Sequence, residues 1–385
     1  MRWDHLRLDG APDGSPGNGG TAGGGTGGGG TADGGPGHGG GRPGGALFER
    51  GAVTRTFDTP GFRGMTFYEI HAKSIVNRVP ATSRMAFTWT INPYRGCQHA
   101  CAYCFARNTH TYLDLDAGQD FNSKVVVKVN APELLRTTLA SPRWPGEHIA
   151  MGTNVDCYQR AEGRYRLMRG IISALRDHAN PFSILTKGTL ILRDLDLLTQ
   201  AAEVTDVGLN VSAGFVDKAL WRSLEPGTPS PERRLGVCAA LTRTGLRCGV
   251  LMGPVVPFLS DSPAQLEETV RRIAETGAVH VTPIVLHLRP GTRDWYMRWL
   301  TENHPGLLPR YRALYRRGAY APRDYQAEIT GRVRELARRY GVGAATPAGA
   351  RSAGASRGMG PIGGAAGAGS PHQAPREAPL QLSLL

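Results

Sequence analysis

Cys97, Cys101 and Cys104 fall within eight consecutive positions of NPYRGCQHACAYCFAR (92–107), half of the six cysteines in a 385-residue chain. A C-x3-C-x2-C spacing in one loop suits three chemistries: a disulfide, a zinc site or an iron–sulfur cluster. The opening MRWDHLRLDG is charged and runs into glycine, unlike an apolar leader. A cytoplasmic location is therefore expected, and a reducing compartment disfavours stable disulfides. Zinc needs a fourth ligand. His99 or His110 could serve, but structural zinc sites usually pair two C-x2-C knuckles, and Cys157, Cys238 and Cys248 lie far off without paired spacing. Three thiolates can instead hold three irons of a [4Fe–4S] cluster and leave the fourth iron open to a substrate or cofactor. The spacing favours the cluster and keeps zinc as the alternative.

Something must position this loop. Phe87–Ile91 alternates as a strand that runs directly into it. Five further apolar runs follow: EHIAMGTN, FSILTKG, DVGLNVSAG, RCGVLMGPV and VHVTPIVLHL. Between them lie the helical patterns RYRLMRGIISALRDH, LRDLDLLTQAAEV, SPERRLGVCAALTRTG and SPAQLEETVRRIAETG. Ser230 and Ser262 stand at helix N-caps, with Pro231 in the first helical position. KVVVKVN (124–130) reads as an additional strand in the first crossover. Six βα units predict an α/β chain with a parallel sheet, closed as an open (βα)6 partial barrel. Working residues in such folds sit at the carboxyl ends of strands, where NPYRGC, GTNVDCYQ, TKG, SAGF and GPVVP all fall. From Trp295 to Tyr340 the chain reads as helical, with ALYRRGAY and ITGRVRELARRYG as basic amphipathic helices packed on the barrel.

The motif C-x3-C-x-aromatic-C, with Tyr103 as the aromatic, after the first strand of a βα series resembles the radical S-adenosylmethionine (SAM) superfamily over about residues 85–290. The resemblance implies a partial TIM barrel of the radical SAM type. Its [4Fe–4S] cluster, bound through Cys97, Cys101 and Cys104, would chelate SAM at the open iron. One electron from a flavodoxin- or ferredoxin-type reductant would then cleave SAM to a hydrogen-abstracting 5′-deoxyadenosyl radical. SLEPGTPSPERRL (223–235), LTKG (185–188), NVSAG (210–214) and VDCYQRAEG (155–163) are similar to segments of the spore photoproduct lyase-like group. Carried over residue by residue, Lys187 would hold the SAM carboxylate and Ser212 its methionine or ribose part. The Tyr103 backbone would meet the adenine, and Gly152, Thr153 and Asn154 would approach the amino group. The group's hydrogen-donating cysteine falls on Thr153 here, whose O–H bond is too strong for that role. Cys157 is the candidate in its place, so thymine-dimer repair by the same route is in doubt. Asp156 and Glu162 read most simply as ion-pair partners of arginines between 160 and 169, and Glu225 as a loop anchor through Arg233 or Arg234.

The ends read differently. Residues 10–45 contain 20 glycines in 36 positions, and Gly, Ala, Ser and Pro dominate from about Gly343 to Ala378, so both tails are expected to be disordered. The division is thus 1–45 tail, 46–290 barrel core, 291–342 helical extension and 343–385 tail. The first tail carries three Arg against four Asp and the last three Arg against one Glu, so nearly all of the net charge of +13 belongs to the folded part. A basic domain suits a polyanion such as DNA. No apolar run is long enough to span a membrane. Gln381–Leu385 (QLSLL) resembles the peptide by which bacterial repair proteins dock on the β sliding clamp. The readings that compete are a radical SAM enzyme acting on a peptide, a tRNA base or a metabolite, and a non-catalytic zinc-bound nucleic-acid-binding module.

Overall fold

The computed structural model describes residues 51–80 and 85–343. The expectations for both tails, and for the docking peptide Gln381–Leu385, lie outside the described residues.

The apolar runs form one seven-stranded sheet. In chain order its strands are β3 (Val76–Arg78), β4 (Trp89–Ile91), β7 (Ile149–Met151), β8 (Phe182–Thr186), β9 (Val207–Ser212), β10 (Cys248–Val255) and β11 (Val281–Val285). From β4 to β11 every neighbouring pair is parallel and follows chain order, which is the (βα)6 partial barrel expected. The registers Trp89↔Ile149, Ile149↔Phe182 and Phe182↔Val207 bring the strand ends after Ile91, Met151, Thr186 and Ser212 to one rim. Strand β3 pairs antiparallel with β4 and covers what would be an open edge.

A second sheet was not foreseen. Strands β1 (Val53–Arg55), β2 (Thr66–Ile70), β5 (Tyr94–Arg95) and β6 (Lys124–Lys128) order as β1-β2-β6-β5. KVVVKVN therefore does form a strand in the first crossover, but it leaves the barrel sheet to pair with β2 and β5. Two residues after β4, the chain enters β5 and thereby ties the cysteine loop to both sheets.

Local signals held where the chemistry is simple. The Ser230 and Ser262 hydroxyls accept the backbone N–H of Arg233 and Gln265 as N-caps, with Pro231 and Pro263 opening their helices. Two helical patterns break. RYRLMRGIISALRDH divides at Arg166, which takes a left-handed conformation (φ 54°), because the Glu162 carboxylate accepts the N–H groups of Leu167 and Met168 and starts a new helix there. ALYRRGAY leaves its helix after Leu314, and Tyr320 instead bridges to His287 beyond β11. Helices at Thr292–Asn303 and Arg323–Arg339 close the described chain, the latter packing on β11 and on the Pro263–Ala274 helix. Among the described residues, no helix is long and apolar enough to cross a membrane.

Candidate active site

The cysteine loop begins at the rim after β4. Cys97 and Cys101 are buried and Cys104 is partly buried; none is in a disulfide. Burial pushes all three thiols above the usual range, Cys101 up to about 12, and each feels the negative charge of a sister thiolate or the positive charge of Arg107 or Lys187. Thiolates so penalised are stabilised by a cationic inorganic group. Among the described residues, no three His, Cys, Asp or Glu side chains draw together closely enough to hold a single metal ion. The two histidines named as zinc candidates each hold a partner through one ring nitrogen, His99 with Asp156 at 3.3 Å and His110 with the Lys124 carbonyl at 2.8 Å. Three thiols on one loop are the donor type that a four-iron cluster takes, one short of its four irons.

Protein groups hold the loop on every side. Gln159 Nε2 donates to the Gly96 carbonyl at 2.9 Å, and its Oε1 accepts the Gln98 N–H at 3.0 Å. The Gly227 N–H donates to the His99 carbonyl at 3.1 Å, and the backbones lie so close that a Cβ on Gly227 would stand 2.0 Å from the Gln98 carbonyl oxygen. Arg107, fully buried, donates to the carbonyls of Cys101 and Gly118 and to Asn122, under the ring of Trp295 at 4.5 Å. Sequence reasoning missed Arg107, although it closes the quoted motif, because buried arginines are rare and nothing local marks the carbonyls it serves.

Asp156 joins three strand ends. Its carboxylate accepts from Thr186 Oγ1 at 2.6 Å, the Lys187 N–H at 2.7 Å and the Tyr158 N–H at 2.9 Å, beside His99. Burial opposes its ionisation, but His99 and these hydrogen bonds outweigh burial and hold it at about 2. The expected pairing of Asp156 and Glu162 with nearby arginines is corrected. Asp156 faces His99, while Glu162 pairs with the more distant Arg193 at 2.6 Å and accepts from Tyr94 Oη at 2.5 Å.

A second network lies across the rim. Tyr103 Oη donates to Glu225, whose other carboxylate oxygen lies 2.5 Å from Arg234. Arg234 also donates to the Ser212 carbonyl at 2.9 Å. Lys187 Nζ stands 2.5 Å from Ser212 Oγ, 3.9 Å from Glu225 and 5.8 Å from the centre of the Tyr103 ring. Burial works against the Glu225 charge, but Arg234 and Lys187 prevail and hold its carboxyl below the ordinary range. Tyr103, Lys187 and Ser212 thus meet at one place, together with Glu225 and Arg234.

The other expected residues have different immediate surroundings. Gly152 has φ +78°, and a Cβ there would lie 1.8 Å from the Leu185 carbonyl oxygen, so the turn carrying Thr153 packs on β8 as only glycine permits. Asn154 lines a different recess, with Arg95 and Lys128. Cys157 is fully buried within the large apolar core, and burial drives its thiol well above the usual range, an environment that favours packing over hydrogen donation.

The chain is similar to several known proteins. The family model for the radical SAM superfamily matches residues 91–273. An uncharacterized protein of Mycobacterium tuberculosis is 48% identical over 292 residues, spanning 76% of this chain and 86% of that one. An uncharacterized protein of Methanocaldococcus jannaschii is 31% identical over 203 residues, 52% of this chain and 72% of that one. Among solved structures, a spore photoproduct lyase complexed with dinucleoside spore photoproduct shares the fold at a TM-score of 0.52 and 16% identity, over 68% of this chain and 76% of that one.

Proposed function

The chain belongs to the radical SAM superfamily, and on that premise we propose that Cys97, Cys101 and Cys104 carry the cluster and that nucleic acid is the substrate. Enzymes of the superfamily use a [4Fe–4S] cluster and SAM and need a reductant, for which a small flavodoxin- or ferredoxin-type donor is the proposed partner. When bound, cluster and SAM supply one-electron cleavage of the sulfonium and a 5′-deoxyadenosyl radical that abstracts hydrogen. The remaining work falls to the residues of this chain. The Lys187 ammonium, held by Ser212, offers its other N–H groups to a carboxylate. Glu225 pairs with Lys187 and Arg234 and fixes the Tyr103 ring beside the cysteine loop. Asp156 and Gln159 fasten that loop to the ends of β7 and β8. The observation that carries the reading is the meeting of Lys187, Ser212, Glu225 and Tyr103 in one buried network that begins within the cysteine motif.

Nucleic acid is favoured by the net charge of +13 and by the fold shared with a lyase complexed with a dinucleoside lesion. The clamp-like peptide Gln381–Leu385 and a cytoplasmic location suit the same role. The test is anaerobic reconstitution with iron and sulfide, followed by turnover with SAM, reductant and deuterated DNA. A brown protein with about four irons per chain is expected, and its colour should vanish when all three cysteines are replaced by alanine. Deuterium should move into 5′-deoxyadenosine. A colourless zinc protein would overturn the cluster, and transfer only from peptide or small-molecule donors would overturn the substrate.

A further inference from the structure

An aromatic cluster stands beside the cysteine loop and takes no part in the networks described above. Phe105 follows Cys104 directly, and its ring lies 5.9 Å from that of His287, which stacks on Tyr320 at 5.5 Å. The Arg289 guanidinium lies 5.4 Å from the centre of the Phe105 ring and donates to Tyr320 Oη at 3.2 Å. The segment is fixed to the loop: Thr292 Oγ1 donates to the Cys104 carbonyl at 3.1 Å, and Asn108 Nδ2 to that of Pro290 at 3.2 Å. Phe105 nevertheless stays 38% exposed and Tyr320 53%. Single exposed rings are ordinary, but two that converge on one imidazole form a surface. Burial and Arg289 hold His287 down at about 4, so its ring is neutral at ordinary pH and Arg289 carries the charge of the cluster.

The chain beyond the cluster is basic and unpaired. Arg289 to Arg323 holds eight arginines against Asp294 and Glu302, and none of the eight forms an ion pair with a described residue. Arginines on other helices do find carboxylates: Arg136 with Asp177, Arg169 with Asp196, Arg271 with Glu268, and Arg332 with Glu328. Arg293 is occupied by the carbonyls of Tyr315 and Gly318, and Arg310 covers the ring of Phe258 at 3.8 Å. Arg312 and Arg316 are exposed and do neither. With Arg293, Asp294 and Met297 they line an open groove of about 380 Å³, wide enough for a sugar–phosphate unit. The Arg293 bonds join this groove to the turn that leads into Tyr320. The two tails, with net charges near zero, bring no matching anion.

We propose that groove and cluster form one track for single-stranded nucleic acid, in which Arg312 and Arg316 hold backbone phosphates and an unpaired base stacks on the rings of Tyr320, His287 and Phe105. A basic groove that follows the backbone, joined to aromatic rings that take base faces, is the physical pattern of single-strand binding. Bases inside a duplex present only their edges. An acidic peptide would suit the arginines and leave the rings without a partner. A base held on this cluster lies beside the cysteine loop, where hydrogen abstraction would begin. That nucleic acid is the occupant rests on the reading above; the track adds where, and in which form, it is held.

The experiment uses the full-length reconstituted protein and its variants Arg312→Ala/Arg316→Ala, Tyr320→Leu and Tyr320→Trp. Fluorescence anisotropy follows a short labelled single strand, the same sequence as a duplex, and polyglutamate, over a range of salt. The parent should bind the single strand more tightly than the duplex. The double arginine variant should bind it at least about tenfold more weakly, and the logarithmic salt slope should fall by about 1.4, two contacts at about 0.7 each. Tyr320→Leu should lose about tenfold with its salt slope unchanged, and Tyr320→Trp should recover that loss. SAM should bind the double variant as it binds the parent. Parental affinity in the double variant overturns the track and leaves the nucleic-acid reading standing. Equal binding of the duplex, with no effect of Tyr320→Leu, overturns the stacking cluster. Polyglutamate binding as tight as that of the single strand overturns nucleic acid as the occupant in favour of an acidic protein. No binding of either nucleic acid by the parent overturns the reading on which the track rests.

Discussion

Two hydroxyl-bearing networks, one at the rim and one beneath the C-terminal helices, are built on different principles. At the rim, Tyr103, Glu225, Arg234, Ser212 and Lys187 form an ionic chain with Glu225 and Arg234 almost wholly removed from water. Beneath the C-terminal helices, Tyr296 Oη donates to Tyr311 Oη at 2.9 Å, Tyr311 to the Pro257 carbonyl at 2.7 Å, and Tyr315 to the Leu286 carbonyl at 2.6 Å. The second chain is neutral, and its rings pack inside an apolar cluster, Tyr296 tilted against Tyr311 at 5.6 Å and Tyr311 stacked on Tyr315 at 5.9 Å. Neutral hydroxyls satisfy buried carbonyls at little electrostatic cost. Buried charges cost far more to desolvate, so an ionic chain marks a place where a fixed charge is useful.

The sharpest way to break the contrast is Glu225→Gln. It leaves Arg234 and Lys187 without their shared anion, and denaturant titration should show a loss of about 3–5 kcal/mol, as for other broken buried pairs. SAM affinity should fall with it. A loss no larger than that of a tyrosine hydroxyl would erase the distinction between the networks.

Asp156 gives a smaller effect with a pH signature. Its carboxyl is held at about 2, below the ordinary 3.8, so its stabilisation is complete above about pH 4 and disappears as the pH falls to about 2. The drop should amount to about 2 kcal/mol. Asp156→Asn should flatten acid unfolding over that window. An unchanged acid slope would show that the carboxylate does not bind the three strand ends energetically. The smallest effect belongs to the neutral chain. Tyr311→Phe should cost about 1 kcal/mol, because one net hydrogen bond to Pro257 is lost while the ring still packs.

These contrasts also explain what could be read in advance. Parallel strands buried on both faces appear as short apolar runs, and caps act within three residues, so the six βα units and the roles of Ser230 and Ser262 were visible in the chain. The cysteine spacing and the strand-end positions of Lys187 and Ser212 were equally local. The partners of Asp156 and Gln159 were not. Those in the cysteine loop, Gln98 and His99, lie about sixty positions upstream, and only the parallel register of β4 with β7 brings them together. The smaller sheet escaped for a related reason: β2 and β6 pair across a long stretch of intervening chain, and neither run reveals its neighbour.

The cysteine loop is fastened by hydrogen bonds from Gln159, Gly227 and Arg107, all of them groups of the protein itself. The loop is therefore vulnerable at a distance. An alanine at Gly227, far along the chain, would press on the Gln98 carbonyl and displace the cysteines without altering any of them.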